Sequence, residues 1–418
     1  MFLNLFDEIA LVSGVLIKAI SLYFVLMCLF FLKPVKPKET SGSRTSFACV
    51  IAARNEEMVI GRLVESLLDQ DYPPELIKVF VIPNNCTDRT EEAAKKAGAE
   101  IIRVRGPVRT KGDALNQAFG QLMRRDDIDA FLLFDADNIV DRNYMKAMDE
   151  AFAGGAQVTK SRIEAKNPYV SWVSGCYGLY YNIFNLFFNE SRARIGIAPK
   201  LIGTGLGFRR DLILEKGGWN TVTIAEDTEF NADCVLEHCR ISWVPKAVTY
   251  DEAPVDLRTS LKQRRRWAGG IMEVAKEKVP DLLTELRTMK DLRQLIDMMM
   301  ILIMPHFQVV SLIPTAIMLT YVIYSYGILR CLLLVAVSLA ASYVGITAGG
   351  LVLSIRSPYR TAEMTRAILM FPVFTLSWIP LCLMAAVKGS GTWVQIRHTG
   401  SVSPRTVSCA GKHVRELC

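Results

Sequence analysis

No Cys-x-x-Cys pair occurs among the ten cysteines of this 418-residue chain. They are scattered, and Cys28, Cys331 and Cys382 fall inside apolar runs. Reduced, buried thiols are expected, not a disulfide framework. Cys234, His238 and Cys239 lie close together but lack a second ligand pair, so zinc is not expected there. The Gly-x-Gly-x-x-Gly fingerprint is missing after the first apolar strand, which argues against a dinucleotide site. No basic and aromatic pattern of the nucleic-acid-binding kind occurs. The net charge of +7 comes instead from basic residues crowded beside apolar segments, where anionic lipid head groups attract them. A cleaved leader is also not expected. The first apolar run is too long, Asp7 and Glu8 stand where a basic patch would be, and no small-residue cleavage site follows.

What is present is apolar at both ends and polar between. Hydrophobic residues make up 51% of the chain, and the mean hydropathy is +0.24. Residues 9–32 are long enough to cross a bilayer, interrupted only by Lys18, which snorkels or faces a polar path. Lys33, Lys36, Lys38 and Arg44 follow, so the next domain is expected in the cytoplasm. Further apolar runs occupy 297–325, 328–354 and 367–387. Arg356, Arg360 and Arg366 precede the last run, and Arg397, Arg405, Lys412 and Arg415 follow it. With basic residues on both sides and Pro372 and Pro380 within, the last run reads as an interfacial or re-entrant helix before a cytoplasmic tail. The expected organisation is a membrane helix and basic linker (1–44), a cytoplasmic catalytic domain (45–280), interfacial and membrane helices (281–388) and a tail (389–418) in a multi-pass cell-membrane protein.

Within the polar block, strands are expected at Phe47–Ala53, Ile77–Ile82, Ile101–Val104 and Ala130–Phe134. Helical spacing covers 57–69, Thr87–Ala97 and 113–124. Alternation of the two predicts a parallel-rich, doubly wound α/β sheet, with ligands beyond the carboxyl ends of its strands.

The polar residues gather at those ends. Asp135 and Asp137 emerge from the apolar stretch Phe131–Phe134, as suits Mg²⁺ or Mn²⁺, hard cations that neutralise a diphosphate. Glu226 and Asp227 supply carboxylates able to take a proton from an acceptor hydroxyl, although acids also favour helix N-termini. Gln263-Arg264-Arg265-Arg266-Trp267 joins guanidinium groups, which pair with phosphate, to an aromatic face that can stack on a sugar. The same run would also serve as a basic anchor at a membrane surface. Lys111 stands at a helix start fit for phosphate, and the glycines around Gly203 and Thr204 let backbone approach a ligand.

Taken in order, Asp135-x-Asp137, Glu226-Asp227 and Gln263-x-x-Arg266-Trp267 resemble the membrane-embedded processive family 2 glycosyltransferases: cellulose, chitin and hyaluronan synthases and nodulation chitooligosaccharide synthases. The likeness covers roughly 45–400. It implies a GT-A catalytic domain inserted between transmembrane helices, using a UDP-sugar and a divalent metal at the cytoplasmic face. It implies roles too: Asp135 on the nucleotide, Asp137 on the metal, Asp227 as general base, Gly203 and Thr204 along the acceptor. Arg266 would hold the diphosphate, Trp267 would stack on the acceptor sugar, Gln263 would position both, and Lys111 would sit near the phosphates. The pattern departs at Asn84, where the family carries an acid that reads uracil; Asn can both donate and accept. It departs also at Trp393 and His398, which stand in place of the gating segment.

The reading that follows is an inverting, processive enzyme that polymerises a sugar from UDP-glucose or UDP-N-acetylglucosamine and passes the β-linked chain across the membrane. Its first rival adds one sugar to a lipid. Its second is a receptor or scaffold that binds nucleotide sugar without turnover. Three spans are few for a complete channel, so a second copy or export subunits would complete it.

Overall fold

The computed structural model describes residues 2–33, 43–106, 108–288 and 291–390. Its centre is an eight-stranded mixed sheet: β1 (Phe47–Ala53), β2 (Ile77–Pro83), β3 (Glu100–Ile101), β4 (Ala130–Asp135), β5 (Ile139–Val140), β6 (Val158–Ala165), β7 (Leu206–Arg209) and β8 (Ile241–Asp251). The spatial order is β3-β2-β1-β4-β7-β6-β8-β5. β1 to β4 are parallel, with Ala52 opposite Asp135, while β7 runs antiparallel between β4 and β6.

The apolar runs of β1 and β4 are continuous because both sheet faces are covered. Phe47, Cys49, Ile51, Leu132 and Phe134 pack under the helices Ile60–Leu68 and Tyr144–Ala153. The alternate residues Ala48, Val50, Phe131 and Leu133 pack under Lys111–Leu122 and Glu226–Leu236. Phe119 meets Phe131 edge-on at 4.9 Å, and truncating such a ring to Ala costs about 3–5 kcal/mol.

Several boundaries differ from the sequence expectation. The helix expected from Thr87 starts at Thr90, because Thr87 N–H donates to Asn55 and Asp88 accepts from Glu57 N–H, tying both residues to the loop after β1. The helix expected at 113 starts at Lys111, since Thr110 caps it in a reciprocal box with Asp113. The third strand is only two residues long. Asp256 caps a helix running Leu257–Glu285, straight through the expected domain boundary at 280.

Around this domain stand apolar helices. Leu292–Tyr326, Ile328–Ile355 and Thr365–Lys388 are each long and apolar enough to cross a membrane. At the N-terminus, Phe2–Leu29 is helical. Thr365–Lys388 breaks at Ser377 and meets the sheet domain at both ends. Ahead of it, Tyr359 OH donates to Glu164 at 2.6 Å, and Arg360 N–H donates to Tyr169 OH. At its far end Arg265 donates to the carbonyls of Lys388 and Gly389, at 3.2 and 3.1 Å.

Candidate active site

The buried run of β4 ends at Asp135, and the turn that follows is held by Asn138, only 1% exposed. Asn138 Oδ1 accepts from Asp135 N–H and from the Thr204 hydroxyl. Its Nδ2 donates to Asp251 at 2.7 Å and to Asp137 at 3.3 Å. One amide therefore joins the tips of β4 and β8 to the Gly203–Thr204 loop. Lys166 donates to the Asp137 carbonyl and pairs with Glu252 at 2.9 Å. Burial, reinforced by Asp251 and Asp135, holds the Asp137 carboxyl well above its usual range. Burial and Asp135 likewise push Asp251 up to about 6. Crowded carboxylates of this kind fit a hard divalent cation. Among the described residues no three His, Cys, Asp or Glu side chains form a ligand group, so waters and substrate phosphates would complete any shell.

Glu226 and Asp227 form the first turn of the helix Glu226–Leu236. The third acid, Glu229, turns away and accepts from the N–H groups of Val222 and Thr223 at 3.0 and 2.7 Å, fixing the approach to that turn. Lys111 Nζ reaches Asp135 at 2.6 Å, the Gly203 carbonyl at 2.9 Å and Glu226 at 3.5 Å. Burial opposes the Lys111 charge, but Asp135, Glu226 and Asp227 outweigh it and raise the ammonium above its ordinary range. Burial raises Glu226 in turn, with Lys111 opposing. A Cβ placed on Gly203 would lie 3.6 Å from Asp227, 3.7 Å from Asp135 and 3.8 Å from Lys111. Three predicted residues thus surround one position without a side chain, and Lys111 ties Glu226 to them.

The loop beyond it is equally constrained. Gly205 has φ +63°, and a Cβ there would lie 1.8 Å from Ser161 Oγ. Beneath it the fully buried Lys160 donates to the carbonyls of Thr204 (2.7 Å) and Ser161 (3.0 Å). Burial lowers its ammonium to about 7, against the pull of Asp227, Asp251 and Asp135.

An aromatic wall stands on the helix Leu257–Glu285. Trp267 lies parallel to Tyr180, centroids 6.4 Å apart, and edge-on to Tyr177. Tyr177 OH donates to Gln263 at 3.0 Å. Tyr181, one residue past Tyr180, donates to Asp251, so one helix joins the wall to the acids. A Cβ on Gly270 would lie 2.9 Å from that of Ala225, just before Glu226. Arg266, half-buried one turn earlier, shares that face. Arg264 is buried elsewhere, donating to the Phe374 carbonyl with its guanidinium 3.9 Å from that ring's centroid. Asn84 stands at the β2 tip, its Nδ2 committed to the carbonyls of Ala53 and Ile82. Trp393 and His398 lie outside the described residues.

The sequence reading omitted Asn138, Lys160, Lys166, Tyr181 and Asp251. Only Asp251 left a usable signal: like Asp135, it is an acid closing a β-rich stretch, Val244 to Tyr250.

A mixed sheet with acids at its strand tips, one glycine at their centre and an aromatic helix beside them is the GT-A architecture of glycosyl-transferring enzymes. The chain belongs to the family described as "Glycosyltransferase like family 2", whose model matches residues 44–270. It is similar to a beta-monoglucosyldiacylglycerol synthase of Nostoc sp., 28% identical over 243 residues, covering 56% of this chain and 50% of that protein. It is also similar to the poly-beta-1,6-N-acetyl-D-glucosamine synthase of Staphylococcus aureus, 26% identical over 246 residues, covering 57% and 58%. The chain thus spans about half the length of these curated relatives. Among solved structures it resembles the mannosyltransferase PcManGT of Pyrobaculum calidifontis, in complex with GDP-Man and Mn²⁺, at TM-score 0.60 and 19% identity, covering 89% of this chain and 99% of that one.

Proposed function

We propose that this glycosyltransferase moves one hexose from a UDP-sugar, with inversion, onto a lipid hydroxyl at the cytoplasmic face of a cell membrane. The observation that carries it is the convergence of Lys111, Asp135 and Asp227 on Gly203, with Glu226 paired to the same lysine. Asp227 takes the proton of the acceptor hydroxyl as its oxygen bonds to the anomeric carbon and the bond to the diphosphate breaks. Lys111 and Arg266 offset the negative charge that gathers on the departing UDP. Asn84, its amide nitrogen already engaged, presents its oxygen to a base N–H. Asp137, with Asp135 beside it, would hold Mg²⁺ or Mn²⁺, which supplies charge neutralisation at the diphosphate. Trp267 and Gln263 line the acceptor side together with Gly203 and Thr204.

A single transfer is favoured over polymerisation by the membrane helices. In Leu312–Tyr326 no residue is buried, and in Ile328–Ile355 only Cys331, Gly350, Leu353 and Ser354 are. So few residues of these two helices pack against the rest of the chain that they support a single transfer better than a bundle closed around a polymer. The second reading, a processive β-glycan synthase, draws on the similarity to the poly-N-acetylglucosamine synthase and would need a further copy or export subunits. Incubating purified protein with UDP-glucose or UDP-N-acetylglucosamine, Mn²⁺ and lipid vesicles, then weighing the products, separates them. One added hexose per lipid is expected; a ladder of glycans would favour the second reading, and no UDP release with any donor would remove both.

A further inference from the structure

Two buried nitrogen donors and one lysine ammonium stand without acceptors close to the helix that carries Asp227. Residues 172–194 form one helix with a π-helical stretch at Phe184–Glu190, the kind of distortion that recurs at functional sites. Asn189, in that stretch, is fully buried, and its Oδ1 accepts from Lys200 N–H at 3.0 Å. Because that partner is a donor, the amide orientation is fixed, and Nδ2 is left with no acceptor. Arg192, 1% exposed, gives Nε to Asp297 at 2.8 Å and Nη1 to the Phe187 carbonyl at 2.7 Å; its Nη2 has no partner. Lys200 is 8% exposed, and its Nζ has no acceptor among the described residues. That ammonium lies 5.1 Å and 5.7 Å from the rings of Phe184 and Phe188, and the Arg192 guanidinium lies 4.7 Å from the same Phe188 ring.

Asp297 is taken up by Arg192 and also accepts from Tyr23 OH, so it meets none of the three free donors. Burial lowers the Lys200 ammonium to about 8, with Asp227 opposing, so it stays charged at neutral pH. A buried charge with unused donors is costly unless an anion meets it. The place suits a lipid head group. Leu201 N–H is held by Asn231, one turn beyond Asp227 on the same helix, while Phe24 and the Cys28 carbonyl of the N-terminal apolar helix contact Phe188 and Ser191.

We propose that Lys200, Arg192 and Asn189 form a phosphate site that seats a phospholipid acceptor, bringing its free hydroxyl to Asp227. This rests on the reading of Asp227 as the base. A neutral acceptor such as diacylglycerol offers no phosphate oxygens and would leave these donors unmet.

The test uses purified full-length protein in detergent, with retention of phosphatidylglycerol and diacylglycerol read by native mass spectrometry and inorganic phosphate titrated alone by calorimetry. Phosphatidylglycerol should be retained over diacylglycerol by about tenfold or more, the loss expected when one charge-assisted hydrogen bond goes unmade. Lys200→Met should erase that preference and Lys200→Arg should keep it, with UDP affinity unchanged in both. Asn189→Asp still accepts from Lys200 N–H and adds an internal anion, so it should abolish phosphatidylglycerol retention while raising the unfolding temperature. Equal retention of the two lipids, or undiminished retention by both Lys200→Met and Asn189→Asp, would overturn the proposal. Inorganic phosphate binding as tightly as the lipid would assign the pocket to a free anion and overturn the acceptor role. If the retention pattern holds but no sugar is transferred from any donor, the catalytic reading alone fails.

Discussion

At the scale of single residues, the proposed base differs from its neighbouring carboxylates in its ties. Asp135 and Glu226 are both ion-paired with Lys111, whereas Asp227, which shares the Gly203 position with Asp135, is not. Asp227→Asn is expected to slow sugar transfer on the order of 10² to 10⁴-fold while UDP binds as before, read by UDP release and calorimetry. Weakened UDP binding in proportion would make Asp227 a donor-site residue instead. Lys160 predicts a pH effect of defined sign. Its folded pKa of about 7 lies below the ordinary lysine value, so the folded state disfavours the charged form. That penalty is complete below about pH 7 and is released as pH rises toward about 10.4. Unfolding temperatures should carry a component rising between pH 7 and 9 that Lys160→Met removes; identical profiles for both proteins would contradict the burial argument. The acids were readable because carboxylates after apolar strands are conspicuous. Lys160 was not, since in sequence it is one polar residue in an alternating strand, and burial under the Thr204 carbonyl is a tertiary event.

Among the elements, the helix Leu257–Glu285 decides how the aromatic wall stands relative to the acids. Its approach is set by Gly270 against Ala225 and Ile224, at 2.9 and 3.1 Å from a would-be Cβ. Gly270→Leu should push the helix outward and lower transfer by about 10²-fold, the cost of roughly 1 Å of misplacement, with donor binding little changed. Unaltered turnover in a folded Gly270→Leu protein would detach this helix from catalysis. The expected strands and helices nearest the site were legible because apolar periodicity and turn residues punctuate them. The helix start at Thr90 was not, because Thr87 and Asp88 are used by Asn55 and Glu57 from a loop about thirty residues away.

For the molecule as a whole, the informative segment is Thr365–Lys388, long enough to span yet joined to the sheet domain at both ends. A reporter fused after Ser390 should therefore lie on the same side of the membrane as one inserted in the catalytic domain; opposite sides would make the segment a true crossing. Composition and order of motifs by themselves determined the glycosyltransferase family, the parallel core of the sheet and the helices apolar enough to cross a membrane, because hydropathy and strand-tip acids are local properties of the chain. Only tertiary structure decided that Asn138 knits β4 to β8, that Glu229 serves the loop and not the pocket, and that Asn189, Arg192 and Lys200 share a buried corner with donors to spare. Those outcomes depend on which side chains meet across long stretches of sequence, and no local pattern records such a meeting.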